Sequence, residues 1–459
     1  MSDARRTRLL NGPILATLAA LAAPNIAASF IQSSISIVEG VYLGLLGTVE
    51  LAGAALVFPL FMLTTMYSSG AIGGAVAGMT ARSVGAGDRE RSEAILRAAI
   101  LVAVVMSLIM ATVILLFGTP FFRLLGGTGE VLDTAEIYAS RLFAGIVALW
   151  LFNMTASVLR GSGDTLRPAV GLSLILMVHA AVSWLLIVEL GWGVAGAGLA
   201  LPIAYAAGTV FLAGWVLVGR AAVQARWGTV AWSVLGPLLR QGGLAALQST
   251  LTVAMALMVT AIVGRLGVHW LAGYGIGVRL EFLMIPIIFG IGGALIPMVG
   301  VNVGAGRRER AIRIAWAGVA VAVFAVGAFG LIFAVQPEWW SRLFTAEPET
   351  LAATALYLRI VGPFYGFFAL GLCLYFASQG LELAGLAGDR YRLATPPGGR
   401  RRPAAPGGRC RQSGRDFLRG RRCDGRLWPV HRRGAEARAV ARLRSVLEFS
   451  AGCPVSAAA

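Results

Sequence analysis

Ten runs of apolar residues, most about 20 residues or longer, decide what this chain can become. A helix rises about 1.5 Å per residue, so such runs cross a hydrocarbon core about 30 Å thick. They fall at roughly 14–46, 51–80, 93–118, 134–160, 168–189, 194–217, 240–265, 271–302, 311–335 and 353–379. In lipid, every backbone polar group must find its partner within the protein, which leaves helices and closed barrels. Strands of alternating polarity are absent, so the expectation is an all-α membrane protein. Charged residues make up 13% of the chain, against about 25% in a soluble domain. The first apolar stretch runs past Pro24 to about Gly47, too long for a cleaved signal peptide, and reads as an uncleaved span.

Charge is distributed unevenly. All 39 basic residues are Arg, and the formal net charge is +17. From Asp389 onward, 17 Arg face five acids, so +12 of that charge sits in the last segment. A nucleic-acid partner, which a basic chain first suggests, is therefore not expected of the apolar body. Within the body the Arg residues mark alternate loops. Arg5, Arg6 and Arg8 precede the first span; Arg82, Arg89 and Arg91 follow the second; Arg160 and Arg167 follow the fourth; Arg220 and Arg226 follow the sixth; Arg307, Arg308, Arg310 and Arg313 follow the eighth. The intervening loops GLLGTVE and VELGWG carry none. The positive-inside rule puts the N-terminus in the cytoplasm of a multi-pass protein of the cell (inner) membrane. Without Lys there is no Walker motif, which argues against an ATP-driven pump. The four cysteines fit no zinc spacing and no disulfide framework. No metal, cofactor or catalytic residue is expected, and the chain does not read as an enzyme.

The body is duplicated. AIGGAVAGMTARSVGAGDRER in one half matches GIGGALIPMVGVNVGAGRRER in the other at an offset of 219. Ile72, Gly73, Gly74, Ala75, Met79 and Gly85 pair with Ile291, Gly292, Gly293, Ala294, Met298 and Gly304. Further on, Arg123 pairs with Arg342, Tyr138 with Tyr357, and Gly161 with Gly380. Upstream, after a one-residue gap, Gly47, Leu51, Ala52 and Gly53 pair with Gly267, Leu271, Ala272 and Gly273. Six crossings separate the copies, an even number, so the halves face the same way about an axis along the membrane normal. Such bundles enclose a shared cavity and can rock about it.

At these motifs the chain resembles the multidrug and toxic compound extrusion (MATE) family, from about residue 14 to 381. VEGVYLGLLGTVELAGAAL, the VGAGDRER loop, LRGSGDTLRP, GVAGAGLA and GYGIGVRLE carry the resemblance. It implies twelve helices in two six-helix bundles around a V-shaped central cavity, and export of mostly cationic organic compounds driven by protons or sodium.

Ionisable side chains inside spans are costly, about 2.5–3.5 kcal/mol at a helix centre on insertion scales, and so are functional candidates. Glu39 lies deep in the first span between Val38 and Gly40, with no cation near it in sequence. Desolvation there favours the neutral carboxylic acid, a form suited to trading protons. The resemblance places the family's cation-coupling acid at this position, usually as Asp. His179 and Ser183 lie one turn apart on one face of the fifth span. In one branch of the family those positions are Asn and Asp, so their replacement weakens a sodium site. A lone His on an apolar helix is more often a satisfied core residue, but imidazole titrates near neutral pH, so a Glu39–His179 proton relay is the competing reading. The acids that another branch uses in the seventh and tenth spans align with Thr252 and Phe368, so coupling is expected in the first half, by protons rather than sodium. Gln32, Ser33, Tyr67, Asn153, Gln248 and Tyr274 are candidates to line a substrate cavity, where aromatic faces attract organic cations. For each, a hydrogen bond or packing contact between helices is the competing role. Arg279 and Glu281, the other intramembrane acid, read as an ion pair near the eighth span's entry, structural or with a role in transport.

After Gly380 the chain turns rich in Arg, Pro and Gly, and no span follows where two more are due. A reading-frame shift in the coding DNA near codons 381–388 accounts for this. Read one nucleotide later from Gly385 with G/C-ending codons, the segment yields an apolar span whose proline falls near position 387, the counterpart of Pro168. A genuine basic tail is the other account. The expected organisation is a six-helix bundle over 1–220, a bundle of four recognisable helices over 221–381, and an aberrant, disordered tail over 382–459. The expected function is secondary active antiport, exporting organic cations or drugs in exchange for protons, by a monomer whose partners are small-molecule substrates and membrane lipid. A flippase for lipid-linked precursors and an inactive truncated transporter are the alternatives.

Overall fold

A computed structural model describes residues 3–381 except 220, 225 and 227. The expectations for 382–459 lie outside the described residues. Nine helices in the described part are long and apolar enough to span a membrane: Ile14–Leu46, Thr48–Ala86, Arg89–Leu124, Leu166–Glu189, Gly193–Leu217, Trp232–Gly264, Val268–Gly304, Arg308–Val335 and Pro348–Leu381. Counted as one span, the bent pair Gly129–Ala144 and Ile146–Gly161, which turn by 47° at Gly145, makes a tenth, the fourth in chain order. Every apolar run in the sequence thus falls on one of these helices or on the bent pair.

Turn glycines set where the spans stop. Gly87 (φ 76°) follows the second span and Gly306 (φ 77°) the eighth, both left-handed, a conformation that costs a side chain dearly. Asp88 then caps the third span by accepting from the Arg91 amide at 2.9 Å. The earlier glycines of each VGAG motif do something else. Gly85 and Gly304 are helical, and a methyl group on either would strike the opposite half: Gly85 abuts the Val301 carbonyl, and Gly304 abuts the Arg82 carbonyl. Residues 82 and 301, like 85 and 304, are 219 apart, so the contact is reciprocal. Inside each half the packing also repeats. Gly161 lies against Ala77 as Gly380 lies against Ile296; Gly53 lies against Thr134 and Ala135 as Gly273 lies against Ala353 and Thr354. One scaffold is therefore used twice, with the second and eighth spans meeting at the axis that relates the copies.

The one-residue gap between the repeats has a structural cause. Gly53 to Gly73 is one residue longer than Gly273 to Gly292. The second span holds a π-helical turn, Met66–Ala71, where one extra residue can be absorbed without breaking the helix.

A short helix, Asp3–Asn11, closes the basic side across both halves. Arg5 pairs with Asp164 at 3.1 Å, and Arg6 donates to the Gly85 carbonyl at 2.8 Å. From the other half, Asn302 donates to the Leu9 carbonyl at 3.1 Å, and Arg307 to the Leu10 carbonyl at 2.9 Å. Asp164 is 3% exposed and also takes Arg167 at 3.5 Å. Removing a buried carboxylate strands its cations, at a cost of about 3–5 kcal/mol for a buried pair and less where, as here, the Arg partners stay partly in water. Asp164→Ala is expected to loosen this helix, seen as several-fold faster tryptic cleavage at Arg5, Arg6 and Arg8 in the purified protein. Unchanged cleavage would mean that the contacts to the second half hold the helix alone.

Candidate functional site

The first span carries Glu39 about two turns from its end at Leu46. Its carboxyl is buried, 9% exposed. The Tyr138 hydroxyl, from the fourth span, donates to Glu39 Oε1. Gly198 of the sixth span lies against the Tyr138 carbonyl and the Arg141 side chain, the close approach that small residues permit between membrane helices. Among the described residues no ion pair reaches Glu39. A carboxyl withdrawn from water, with a phenol and no cation, can satisfy itself in either protonation state, because the hydroxyl both donates and accepts. That is the arrangement a proton carrier requires.

Around this pair the first, fifth and sixth spans are tied together. Gln32 Nε2 donates to the Tyr205 hydroxyl at 3.2 Å, and Tyr42 donates to the Ala180 carbonyl at 3.1 Å. His179 and Ser183 are each 1% exposed, on the buried face of the fifth span. Neither imidazole nitrogen of His179 has a hydrogen-bond partner among the described residues. No hydrogen bond joins it to Glu39, whose described partner is Tyr138. The direct contact of Glu39 is thus a carboxyl–phenol pair, and His179 stands as a buried histidine of the fifth span.

The other candidates separate by contact. Asn153 Nδ2 donates to Ser68 Oγ at 2.9 Å, a buried bond between the fourth and second spans. Tyr67 shares a 2.6 Å hydrogen bond with Thr250, which crosses from the second span to the seventh and so joins the halves. Ser33 is exposed and bonds back to the Ser29 carbonyl of its own helix. Gln248 is exposed on the seventh span, and Tyr274 meets the Tyr357 ring edge-on with centroids 5.5 Å apart. Thr252 is exposed, its hydroxyl bonded to the Gln248 carbonyl at 3.0 Å, and Phe368 is exposed. The expected ion pair of Arg279 and Glu281 does not form. Two residues apart on a helix, they point to different sides. Arg279 lies over the Phe344 ring at 5.3 Å, while Glu281 accepts from Tyr357 and from Tyr365.

Four tyrosines that do not stand out in the sequence as site residues therefore matter: Tyr138, Tyr205, Tyr357 and Tyr365. For two of them a signal existed, since Tyr138 and Tyr357 hold register across the repeat. Among the described residues, no cluster of three or more His, Cys, Asp or Glu could hold a metal.

Known proteins resemble this one along most of its length. The MatE family model matches residues 24–185 and 245–384. The chain is 25% identical over 385 residues to the FAD transporter of Shewanella oneidensis, covering 81% of this chain and 83% of that one. It is also 25% identical over 366 residues to the probable multidrug resistance protein NorM of Thermotoga maritima, covering 78% of each. Among solved structures, a MATE transporter in the bent conformation superposes with a TM-score of 0.74 at 24% identity, over 82% of this chain and 84% of that chain. An outward-facing multidrug resistance MATE transporter of the MOP superfamily gives 0.74 at 22%, over 83% and 86%. With the duplicated bundle, its shared axis and a family match over both halves, the chain belongs to the multidrug and toxic compound extrusion (MATE) family of membrane transporters.

Proposed function

We propose that the chain exports organic cations from the cytoplasm across the cell membrane in exchange for protons, with Glu39 as the proton carrier. The observation that carries this is the buried Glu39 carboxyl, bonded to Tyr138 and reached by no cation among the described residues. A deprotonated Glu39 attracts a cationic substrate; a proton arriving from the outside neutralises the carboxyl and releases it. Proton and substrate thus compete for one charge, and the loaded forms differ in which face the halves open. Closure on the basic side through Gly85, Gly304 and the N-terminal helix supplies one of the two gates. A sodium ion would want several oxygen ligands; Glu39 and the Tyr138 hydroxyl form the described oxygen cluster here, which favours the proton. The unit of transport is the monomer, since the repeat supplies both halves of the path.

A second reading has one support, the relative named as an FAD transporter. A dinucleotide cargo or a lipid-linked phosphate asks for cations along the path, and the first two spans hold one Arg, Arg82, near the end of the second.

Reconstituted vesicles decide among these. Efflux of ethidium is expected under a proton gradient with no sodium, and not under a sodium gradient at equal pH. Sodium-driven efflux alone would overturn the coupling, and transport of FAD but not ethidium would overturn the substrate class.

A further inference from the structure

We infer that Glu281, Tyr357, Tyr365 and Tyr274 form a second binding site, in the second half, for the charged head of an organic cation. The argument starts from the duplication. Up to the π-helical turn the copies run at an offset of 220, and beyond it at 219. Tyr138 and Tyr357 are equivalent, and each gives its hydroxyl to a carboxylate. The two carboxylates are not equivalent. Glu39 is on the first span of its half, and Glu281 is on the second span of its own.

The first-half counterpart of Glu281 is Phe61, and that of Tyr365 is Ile146. Phe61 and Ile146 line one mostly apolar gap together with Leu142, Leu149, Leu201 and the Tyr205 ring. The same scaffold position is therefore filled by hydrocarbon in one half and by an acid under two phenols in the other. Packing does not ask for the acid, because the apolar version exists in the same molecule. Two more differences admit or add a phenol ring. Val57 becomes Gly277, where a methyl group would collide with the Tyr357 ring, and Ala54 becomes Tyr274, whose ring stands edge-on to Tyr357 at 89°.

The result is an acid bonded to two phenols, with a third ring, Tyr274, edge-on to Tyr357, and no ion pair among the described residues, since Arg279 is turned to Phe344. Both phenol bonds fall on Oε1, which leaves Oε2 for a ligand. Glu281, Tyr274 and Tyr357 are half-buried, so the cluster is reachable. A carboxylate among aromatic faces is the chemistry that holds a substituted ammonium or phosphonium ion. The role of this site in transport rests on the export proposal above, but binding itself does not.

Calorimetric titration of the purified full-length protein with tetraphenylphosphonium tests it, with triphenylphosphine oxide as an uncharged probe of similar shape. Glu281→Gln is expected to raise the Kd for the cation about tenfold or more and to leave the uncharged probe within twofold. Glu281→Phe, which restores the first-half residue and suits an apolar surround, is expected to do the same and serves if the Gln variant does not fold. An unchanged Kd for the cation, or an equal loss for both probes, would overturn the site. Failure of ethidium transport in the unaltered protein would overturn the export proposal and leave the binding result standing.

Discussion

Glu39→Gln is expected to lower proton-driven ethidium efflux by roughly 100-fold or more, the scale of losing a positioned proton-transfer group. Gln is nearly the same shape and can still accept from Tyr138, so the helix bundle has little reason to rearrange. What it lacks is a proton to exchange. Glu39→Asp keeps the chemistry but draws the carboxyl back by one methylene from Tyr138, and is expected to retain part of the activity. Tyr138→Phe leaves the carboxyl and removes its described hydrogen-bond partner, a bond to a charged group worth about 1.5–3 kcal/mol. A loss of about tenfold is expected there. Efflux in proteoliposomes, with protein amount matched by size-exclusion profile, reads all three. Normal efflux by Glu39→Gln would remove Glu39 from the mechanism and leave Glu281 as the acid to examine.

The contrast between these two acids marks the limit of what the sequence discloses. Spans and repeat were legible because a membrane helix must be apolar over its whole length and because Gly, Arg and Tyr stay in register. The ends of the spans were less so. The second span was expected to stop near residue 80 and continues to Ala86, because the glycine that ends it is Gly87, whereas Gly85 sits inside the helix to admit the other half. Glycine serves both purposes, and spacing does not say which. The gap between the repeats was visible as a number, but only the π-helical turn at Met66–Ala71 says where the extra residue went. Glu39 stood out by charge alone. Its partner did not, since Tyr138 is 99 residues away and a phenol is unremarkable in a span. Arg279 and Glu281 misled for the opposite reason: nearness in sequence suggested a pair, while helical geometry sends neighbours two apart to different sides.

Gly85→Val and Gly304→Val are expected to weaken the closed basic side by the same amount. Each would drive a side chain into a backbone carbonyl of the opposite half, Val301 for the first and Arg82 for the second. Backbone cannot step aside as a flexible side chain can, so the overpacking cost of about 1–3 kcal/mol should be met in full. A conformation in which the halves part on this side does not make the contact and escapes the cost. The difference therefore shifts the equilibrium between closed and open by roughly 5- to 150-fold. Spin labels at Glu90 and Glu309, exposed and equivalent positions just past the two glycines, would report it as a longer distance distribution. The equality is the sharper part of the expectation. Two positions related by an axis must respond alike, because each contact is the image of the other. If one valine opens the basic side and the other leaves it shut, the halves do not share the closure, and rocking about the common axis cannot be how the transporter alternates.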